Sequence, residues 1–432
     1  MESIEILILV ASFITLLLIG LPVAHCIGIS SLITLLVSMD PIIAMTTMAQ
    51  RMATGLDSFS LLAIPFFIVA GQFMNHGGIA NKLVNFAKSI IGMLPGGLAY
   101  VNIVACMLFG AVSGSAAAAA SAMGSFMGPK MKEEGYDPEF SAAVNITSST
   151  TGLLIPPSNV LIVYSLASGG VSIAALFLAG YLPGILMGLA LIFIAGYFAF
   201  RKKYSVGERT SLKNMFLTFI DAIPSLFLLI LIIGGIVGGI FTATEASAVA
   251  VLYTFILTVF IYKEIKLKDV PKILLNSSNT TSIVTLLIAT SMGMSWVMSF
   301  EDIPQAVSSG LLSISDNGII ILLMINLILL FVGIFMDMTP AVLIFTPIFL
   351  PIVTTLGIDP IHFGIIMVMN LCIGLCTPPV GSVLFIGCSV AGLPIQKVIK
   401  PLVPMFIGMI LVLMLVTYIP WITMAVPQFF GF

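Results

Sequence analysis

The chain has 432 residues, of which 59% are hydrophobic and only 8% are Asp, Glu, Lys or Arg, with a mean hydropathy of +1.21. A soluble domain carries about a quarter charged residues to cover its surface, so this composition excludes a soluble protein and makes the lipid bilayer the solvent. Sixteen basic against eighteen acidic residues give a formal net charge of -2, and they fall in short connectors, so no basic face exists for nucleic acid.

In chain order, the N-terminal MESIEILILV lacks the basic region of a cleavable leader and its apolar stretch runs on without an A-x-A-like cleavage site, so it reads as a mature span over 4–19. A bilayer crossing needs about 20 apolar residues. Spans of that kind follow at 21–38 and 59–76. The segment 79–95 is too short and mixed to cross, and suits a helix lying along the interface. The stretch 97–128 is apolar but interrupted by VSGSAAAA (Val112 to Ala119), which predicts a re-entrant hairpin. The segment 139–168 is long enough to cross but is broken at GLLIPPS (Gly152 to Ser158), because a Pro-Pro pair removes backbone donors and clashes with the preceding turn. A span at 171–199 closes this half.

The second half reads as spans at 216–240, 242–262 and 281–298, a short interfacial segment at 303–314, a hairpin at 318–350 interrupted at MDMTP (Met336 to Pro340), a helix over 361–390 broken at GLCTPPV (Gly374 to Val380), and a span at 401–420. The five cysteines (Cys26, Cys106, Cys372, Cys376, Cys388) lie in apolar stretches, where a thiol acts as a small core residue.

An internal repeat is the strongest signal. Adding 222 to a residue number carries Pro129 to Pro351, Gly135 to Gly357, Asp137 to Asp359, Pro138 to Pro360, Gly152 to Gly374, Pro156 and Pro157 to Pro378 and Pro379, and Gly170 to Gly392. The expected organisation is a first unit over 1–210, a linker or span start over 211–225, and a second unit over 226–432, each with five crossings, one hairpin and one broken helix. Five crossings is an odd number, so the second unit enters the membrane from the opposite side and the repeat is inverted. Loop charge points the same way: one orientation places fifteen of the sixteen basic residues inside and only Arg51 outside. Both termini then face outward.

The expected fold is therefore an all-α integral membrane protein in which two opposed hairpins and two broken helices bring helix ends together near the midplane. Half-helix N-termini attract an anion, while exposed carbonyls and hydroxyls coordinate Na⁺. The first hairpin tip offers Ser113, Gly114 and Ser115, and the second offers Asp337 and Thr339. The broken helices add Ser148, Ser149, Thr150, Thr151, Gly152, Pro157, Ser158 and Asn159 in one half and Gly374, Thr377 and Pro379 in the other. Small residues also let helices pack closely in lipid, which accounts equally for the run Ala116 to Ala120. Asp337 is the leading functional residue, because a carboxylate in apolar surroundings is costly unless a cation or water meets it. Glu245 is expected to cap or buttress a helix start, and His25 to be a packed, hydrogen-bonded imidazole. An intramembrane serine hydrolase would need a His base near Ser113 or Ser115, and a channel would need charge rings or a filter repeat; two halves with broken helices favour alternating access.

The strings GLDSFSLLAIPFFIVAGQFMNHGGIA (55–80), LFGAVSGSAAAAASAMG (108–124), TGLLIPPSNVLIVYS (151–165), GIFTATEASAVAV (239–251) and GLCTPPVGSVLF (374–385) resemble the large membrane subunit of tripartite ATP-independent periplasmic (TRAP) transporters. The resemblance implies Na⁺-driven import of an organic acid across a bacterial inner membrane, with an elevator-type moving domain. It implies two partners: a small four-helix membrane subunit, expected here as a separate polypeptide, and a soluble periplasmic substrate-binding protein. It carries sodium-site roles onto Ser113, Ser115, Gly152, Asp337, Thr339 and Gly374, with Thr377 beside them, and leaves Ser148 to Thr151, Pro157, Ser158, Asn159 and Pro379 to line the substrate. Residues 127–180 resemble the sialic-acid branch most, with 2,3-diketogulonate and C4-dicarboxylates as rivals.

Overall fold

The structure is a computed structural model that describes residues 2–204, 211–315 and 317–432. Among these residues all regular structure is helical. The first half runs α1 (Glu2–Leu18), α2 (Val23–Ser38), α3 (Pro41–Gly55), α4 (Ala63–His76), α5 (Ile79–Ile91), α6 (Gly97–Ser113), α7 (Ala116–Glu133), α8 (Pro138–Thr151), α9 (Asn159–Ala167) and α10 (Ile173–Lys202). The second runs α11 (Leu212–Val237), α12 (Ala243–Ile256), α13 (Val270–Phe300), α14 (Ile303–Ile314), α15 (Gly318–Phe335), α16 (Met338–Thr355), α17 (Pro360–Gly374), α18 (Ser382–Ala391), α19 (Ile395–Tyr418) and α20 (Trp421–Phe429). Among the described residues, eight helical segments are long and apolar enough to cross a bilayer by length and composition. The last residues of the expected first unit, 205–210, lie outside the described residues.

The 222-residue shift appears in the helix boundaries: it carries both ends of α7 onto both ends of α16, and the starts of α8 and α17 coincide in the same way. Both broken-helix loops contain a cis peptide, at Pro156–Pro157 and Pro378–Pro379. Ser115 caps α7 by accepting from the Ala118 N–H at 3.2 Å, and its mate Asp337 caps α16 by accepting from the Met338 N–H at 2.9 Å. These are the side chains a helix start selects, because their oxygens meet otherwise orphaned N–H groups.

Two helices were not legible in the sequence. α3 starts where Asp40 caps it and Pro41 occupies its first position, but its sequence PIIAMTTMAQRMATG is too mixed to read as a span. Arg51 lies 4.9 Å from the centroid of the Trp296 ring, which fixes α3 to α13. α20 follows Pro420 in what reads as a loop. α13 begins eleven residues before the expected span start at 281, with Pro271 in its first turn, and carries a polar run before the apolar stretch. Ser277, Thr280 and Ser282 each donate to the carbonyl four residues back, at 2.9, 3.1 and 2.9 Å. His25 is also a correction: it stands exposed on α2, whereas His362, near the start of α17, is buried with its ring nitrogens 2.7 Å from Thr423 Oγ1 and 3.3 Å from the Thr417 carbonyl. Glu245 caps α12 as expected, in a reciprocal box with Thr242.

The helices sort into two layers. In one, α2 packs on α13, α4 on α12 and α11 on α5; in the other, α7 packs on α8 and α18, α16 on α9 and α17, and α10 on α19 and α20. Within the second layer α6 and α7, and likewise α15 and α16, turn back on each other across two residues. Each arm has 17 or 18 residues and is about 26 Å long at 1.5 Å per residue. The hairpin tips are held by glycine. A Cβ on Gly152 would stand 2.5 Å from Gly110 Cα, and one on Gly374 would stand 2.5 Å from Gly333 Cα, so each hairpin arm meets the end of a broken helix backbone to backbone.

Candidate functional site

The two hairpin tips and both broken helices converge on a cavity of about 320 Å³. Four helix N-termini reach its wall: α7 through Ala116 to Ala118, α9 through Asn159 and Val160, α16 through Met338 and Thr339, and α18 through Ser382 and Val383. Each carries roughly half a positive charge on N–H groups without intrahelical partners, so together they favour an anion. The other layer supplies Ile64, Ile68, Gly71, Gln72 and Asn75 from α4 and Thr280 and Val284 from α13. The cavity therefore lies between the layers, half apolar and half polar, as small-ligand sites are.

Local sequence explains how the walls approach. Gly114 ends α6 in the left-handed region (φ +63°), which lets the chain reverse into Ser115, and its missing side chain leaves room for Asn159 Nδ2, 2.9 Å from where a Cβ would be. Gly71 lets α4 come against the Ser113 carbonyl oxygen, 2.8 Å from an added Cβ. Asp337 is the only ionisable side chain among the described residues that line the cavity. One of its oxygens accepts from the Met338 N–H; the carboxylate is otherwise exposed to the cavity side of the tip.

The structure brings together Ser113, Ser115, Asn159, Asp337 and Thr339 as lining residues. It places the other expected site residues around them. Ser148, Ser149, Thr150 and Thr151 are fully buried in α8, and each hydroxyl donates to a carbonyl of its own helix three or four residues back, at 2.5–3.0 Å. Gly152 and Gly374 form the backbone contacts with the hairpin arms, and their carbonyls accept from the Ile155 and Thr377 N–H groups at 3.2 and 2.9 Å. The Thr377 hydroxyl donates to the Ile373 carbonyl at 2.8 Å. Pro157 is buried, Pro379 is exposed, and Ser158 is fully buried with no hydrogen-bond partner for its Oγ.

Four polar lining residues were missed: Gln72, Asn75, Thr280 and Ser382. Gln72 and Asn75 are spaced three apart in an otherwise apolar helix, on the same face as each other, and that spacing was the available signal. Thr280 was hidden in a polar run that read as lying outside a span. No histidine lines the cavity, so Ser113 and Ser115 have no imidazole base there and the geometry offers no hydrolytic pair. What the arrangement supplies is four helix N-termini, three of which already donate an N–H to Ser115, Asp337 or the Leu375 carbonyl, beside one carboxylate and the hydroxyls of both tips.

Comparison with known proteins agrees with this arrangement. Over residues 10–422 the chain matches the family model described as the tripartite ATP-independent periplasmic transporter, DctM component. It is 55% identical over 426 residues to protein YgiK of Salmonella typhimurium, covering 99% of this chain and 98% of that one. It is 40% identical over 405 residues to the C4-dicarboxylate TRAP transporter large permease protein DctM of Pseudomonas aeruginosa, covering 94% of each. Among solved structures, the YdaH transporter of Alcanivorax borkumensis superposes with a TM-score of 0.66 at 12% identity over 90% of each chain, which shows a shared fold. The chain thus belongs to the TRAP transporter family, as its large membrane permease component.

Proposed function

We propose that this subunit carries an organic acid through the inter-layer cavity in exchange for the energy of a Na⁺ gradient, by elevator motion of the hairpin layer against the layer of α2, α4, α12 and α13. The observation that carries this reading is the convergence of four helix N-termini and one carboxylate, Asp337, on a single cavity walled by both layers. The N-termini suit the substrate's carboxylate, and the oxygens of Ser113 and Ser115 at one tip and of Asp337 and Thr339 at the other suit a hard monovalent cation. The fifteen-to-one division of basic residues supports an inverted repeat with units over 1–210 and 226–432 and both termini on the periplasmic side of a bacterial inner membrane.

Membership in a tripartite family implies in general a small membrane subunit and a periplasmic binding protein, and the chain is a permease component, not an enzyme. The acid itself is assigned by class. A C4-dicarboxylate, the substrate in the name of the Pseudomonas relative, and sialic acid, whose transporter branch the 127–180 segment resembles, are two arms of one experiment, with 2,3-diketogulonate the third. The test is uptake into proteoliposomes holding this chain, its small partner and a cognate binding protein, with and without an inward Na⁺ gradient. Accumulation of one acid that needs both the gradient and the binding protein is expected. Equal uptake by this chain alone would make it a self-sufficient carrier or channel, and gradient-independent accumulation would remove the sodium coupling.

A further inference from the structure

A second polar cavity, of about 330 Å³, lies deeper along the first hairpin, between α6, α7, α8 and α18, and shares no lining residue with the first. Its nearest residue on α7, Gly124, is six positions beyond Ala118 of the first cavity, about 9 Å along the helix. Asn102, Ser125, Lys132, Ser141 and Asn145 face it, against an apolar side formed by Ala142 and Val390, and among the described residues no Asp or Glu lines it.

Two observations mark it as a built site. The first is Asn102, which is fully buried: its Oδ1 accepts from the Cys106 thiol at 3.5 Å, while its Nδ2 has no partner. A buried donor left unmade is costly, and a bound acceptor would recover that cost. The second is the contrast with the other half of the repeat. Under the 222 shift Ser141 and Asn145 become Phe363 and Met367, and Pro138 and Ala142 become Pro360 and Gly364. There the space is filled: the Tyr164 ring stands 2.4 Å from where a Gly364 Cβ would be, and its hydroxyl donates to the Pro360 carbonyl at 2.6 Å. Tyr164 is fully buried in α9, whereas its mate in α18 is Ile386, and the first half keeps an open, polar pocket. One architecture thus closes this position with an aromatic plug on one side and opens it with amides and a lysine on the other.

We propose that this pocket is a second binding site, on the cytoplasmic side, for the carboxylate of an organic acid. The side assigned to it, and the choice of an organic acid over other anions, rest on the function proposed above. Lys132 supplies the charge and Asn102 Nδ2 the directed hydrogen bonds. Lys130, two residues away, is turned onto the Phe126 ring at 3.6 Å and does not line the pocket. Ser141 already donates to the Asp137 carbonyl at 3.1 Å, which leaves its oxygen to accept from a ligand hydroxyl, so hydroxy acids fit best. A ligand here joins α7 to α18, two helices whose N-termini also line the transport cavity, so acid on the cytoplasmic side is positioned to slow further import.

Ser125 is exposed at the rim and the five native cysteines are buried, so Ser125→Cys gives one reactive thiol. Its rate of modification by N-ethylmaleimide is measured on the purified full chain with malate, N-acetylneuraminate, inorganic phosphate or sodium chloride. Slowing of threefold or more by one of the two acids, saturating with concentration, is expected. Lys132→Gln and Gly128→Leu should each abolish it. An added Cβ at Gly128 has no atom within 4 Å, so the leucine enters free space and the variant should fold. Asp337→Asn, at the other cavity, should keep the protection. No slowing by either acid, equal slowing by phosphate, or protection that survives Gly128→Leu would each overturn the site. If protection instead disappears with Asp337→Asn, the signal comes from the transport cavity and the second site is refuted while the transport reading stands. Intact protection together with no gradient-driven uptake of any acid keeps an acid site and overturns the transport reading.

Discussion

Gly374→Ala tests whether the hairpin tips are positioned by backbone contact. Gly374 lies in the ordinary helical region, so alanine meets no local strain and only the facing backbone opposes it. Its Cβ would stand 2.5 Å from both Cα and C of Gly333. Carbon atoms settle at about 3.5–4.0 Å, so α15 and the end of α17 must part by about 1 Å, and overpacking of this kind costs roughly 1–3 kcal/mol. The reciprocal change, Gly333→Ala, brings its Cβ to 3.0 Å from Gly374 Cα and should cost less. Because the displaced backbone leads directly to Asp337 on one side and the Thr377 loop on the other, the sodium concentration for half-maximal uptake should rise as well. The assay is thermal unfolding of the purified chain in detergent, paired with Na⁺ titration of uptake. Gly234→Ala is the control: nothing lies within 4 Å of its Cβ, and alanine inside α11 should be neutral or stabilising by up to about 1 kcal/mol. An unchanged midpoint for Gly374→Ala, or equal damage from Gly234→Ala, would refute the reasoning.

Asp337→Asn preserves the shape of the α16 cap while removing the only lining charge, so Na⁺ activation of transport should fall at least tenfold with expression unaltered; undiminished activation in reconstituted protein would leave only the neutral oxygens of the tips as ion ligands. Glu133→Cys and Thr355→Cys, mates under the 222 shift at the ends of α7 and α16, should react with an impermeant thiol reagent from opposite sides of the membrane, and labelling of both from outside would end the inverted topology. Tyr164→Phe should cost about 1 kcal/mol through the lost bond to the Pro360 carbonyl, and Tyr164→Ala roughly 3–5 kcal/mol through the cavity left beside Gly364, read as unfolding midpoints; equal effects would show that the ring contributes no packing. In the connector before α8, hydrogen bonds from Lys202 above all, and from Tyr204, hold the Asp137 carboxyl below its ordinary 3.8. Its folded value is depressed, so the stability it contributes is present above about pH 4 and is lost as pH falls through the folded value. The pair is nearly half exposed, so Asp137→Asn should cost under about 1 kcal/mol at pH 7 and flatten the acid limb of the stability profile; an unchanged acid limb would show the contact is idle.

The sequence by itself determined the solvent, the repeat and the broken elements. Composition settles that lipid surrounds the chain, and Gly, Pro and Asp recurring 222 residues apart cannot arise from apolar bias, so the hairpin tips at Gly114 and Met336 and the loops at Pro156 and Pro378 were legible before any coordinates. Local chemistry placed Glu245 at a helix start, and the structure puts Ser115 and Asp337, expected as ion ligands, at helix starts as well. Tertiary structure alone decided which polar groups face the cavity. Ser148 to Thr151 satisfy their hydroxyls within α8 and stay buried, whereas Gln72 and Asn75 reach the site from the separate helix α4, because Gly71 lets α4 meet the Ser113 carbonyl. Sequence periodicity shows which residues are polar but not which face packs, and that choice is made by long-range backbone approach. The same reason hid the asymmetry between the halves. Tyr164 and Ile386 are mates in a list of letters, yet one fills a pocket and the other leaves its counterpart open, a difference set by which side chain reaches across to the neighbouring helix.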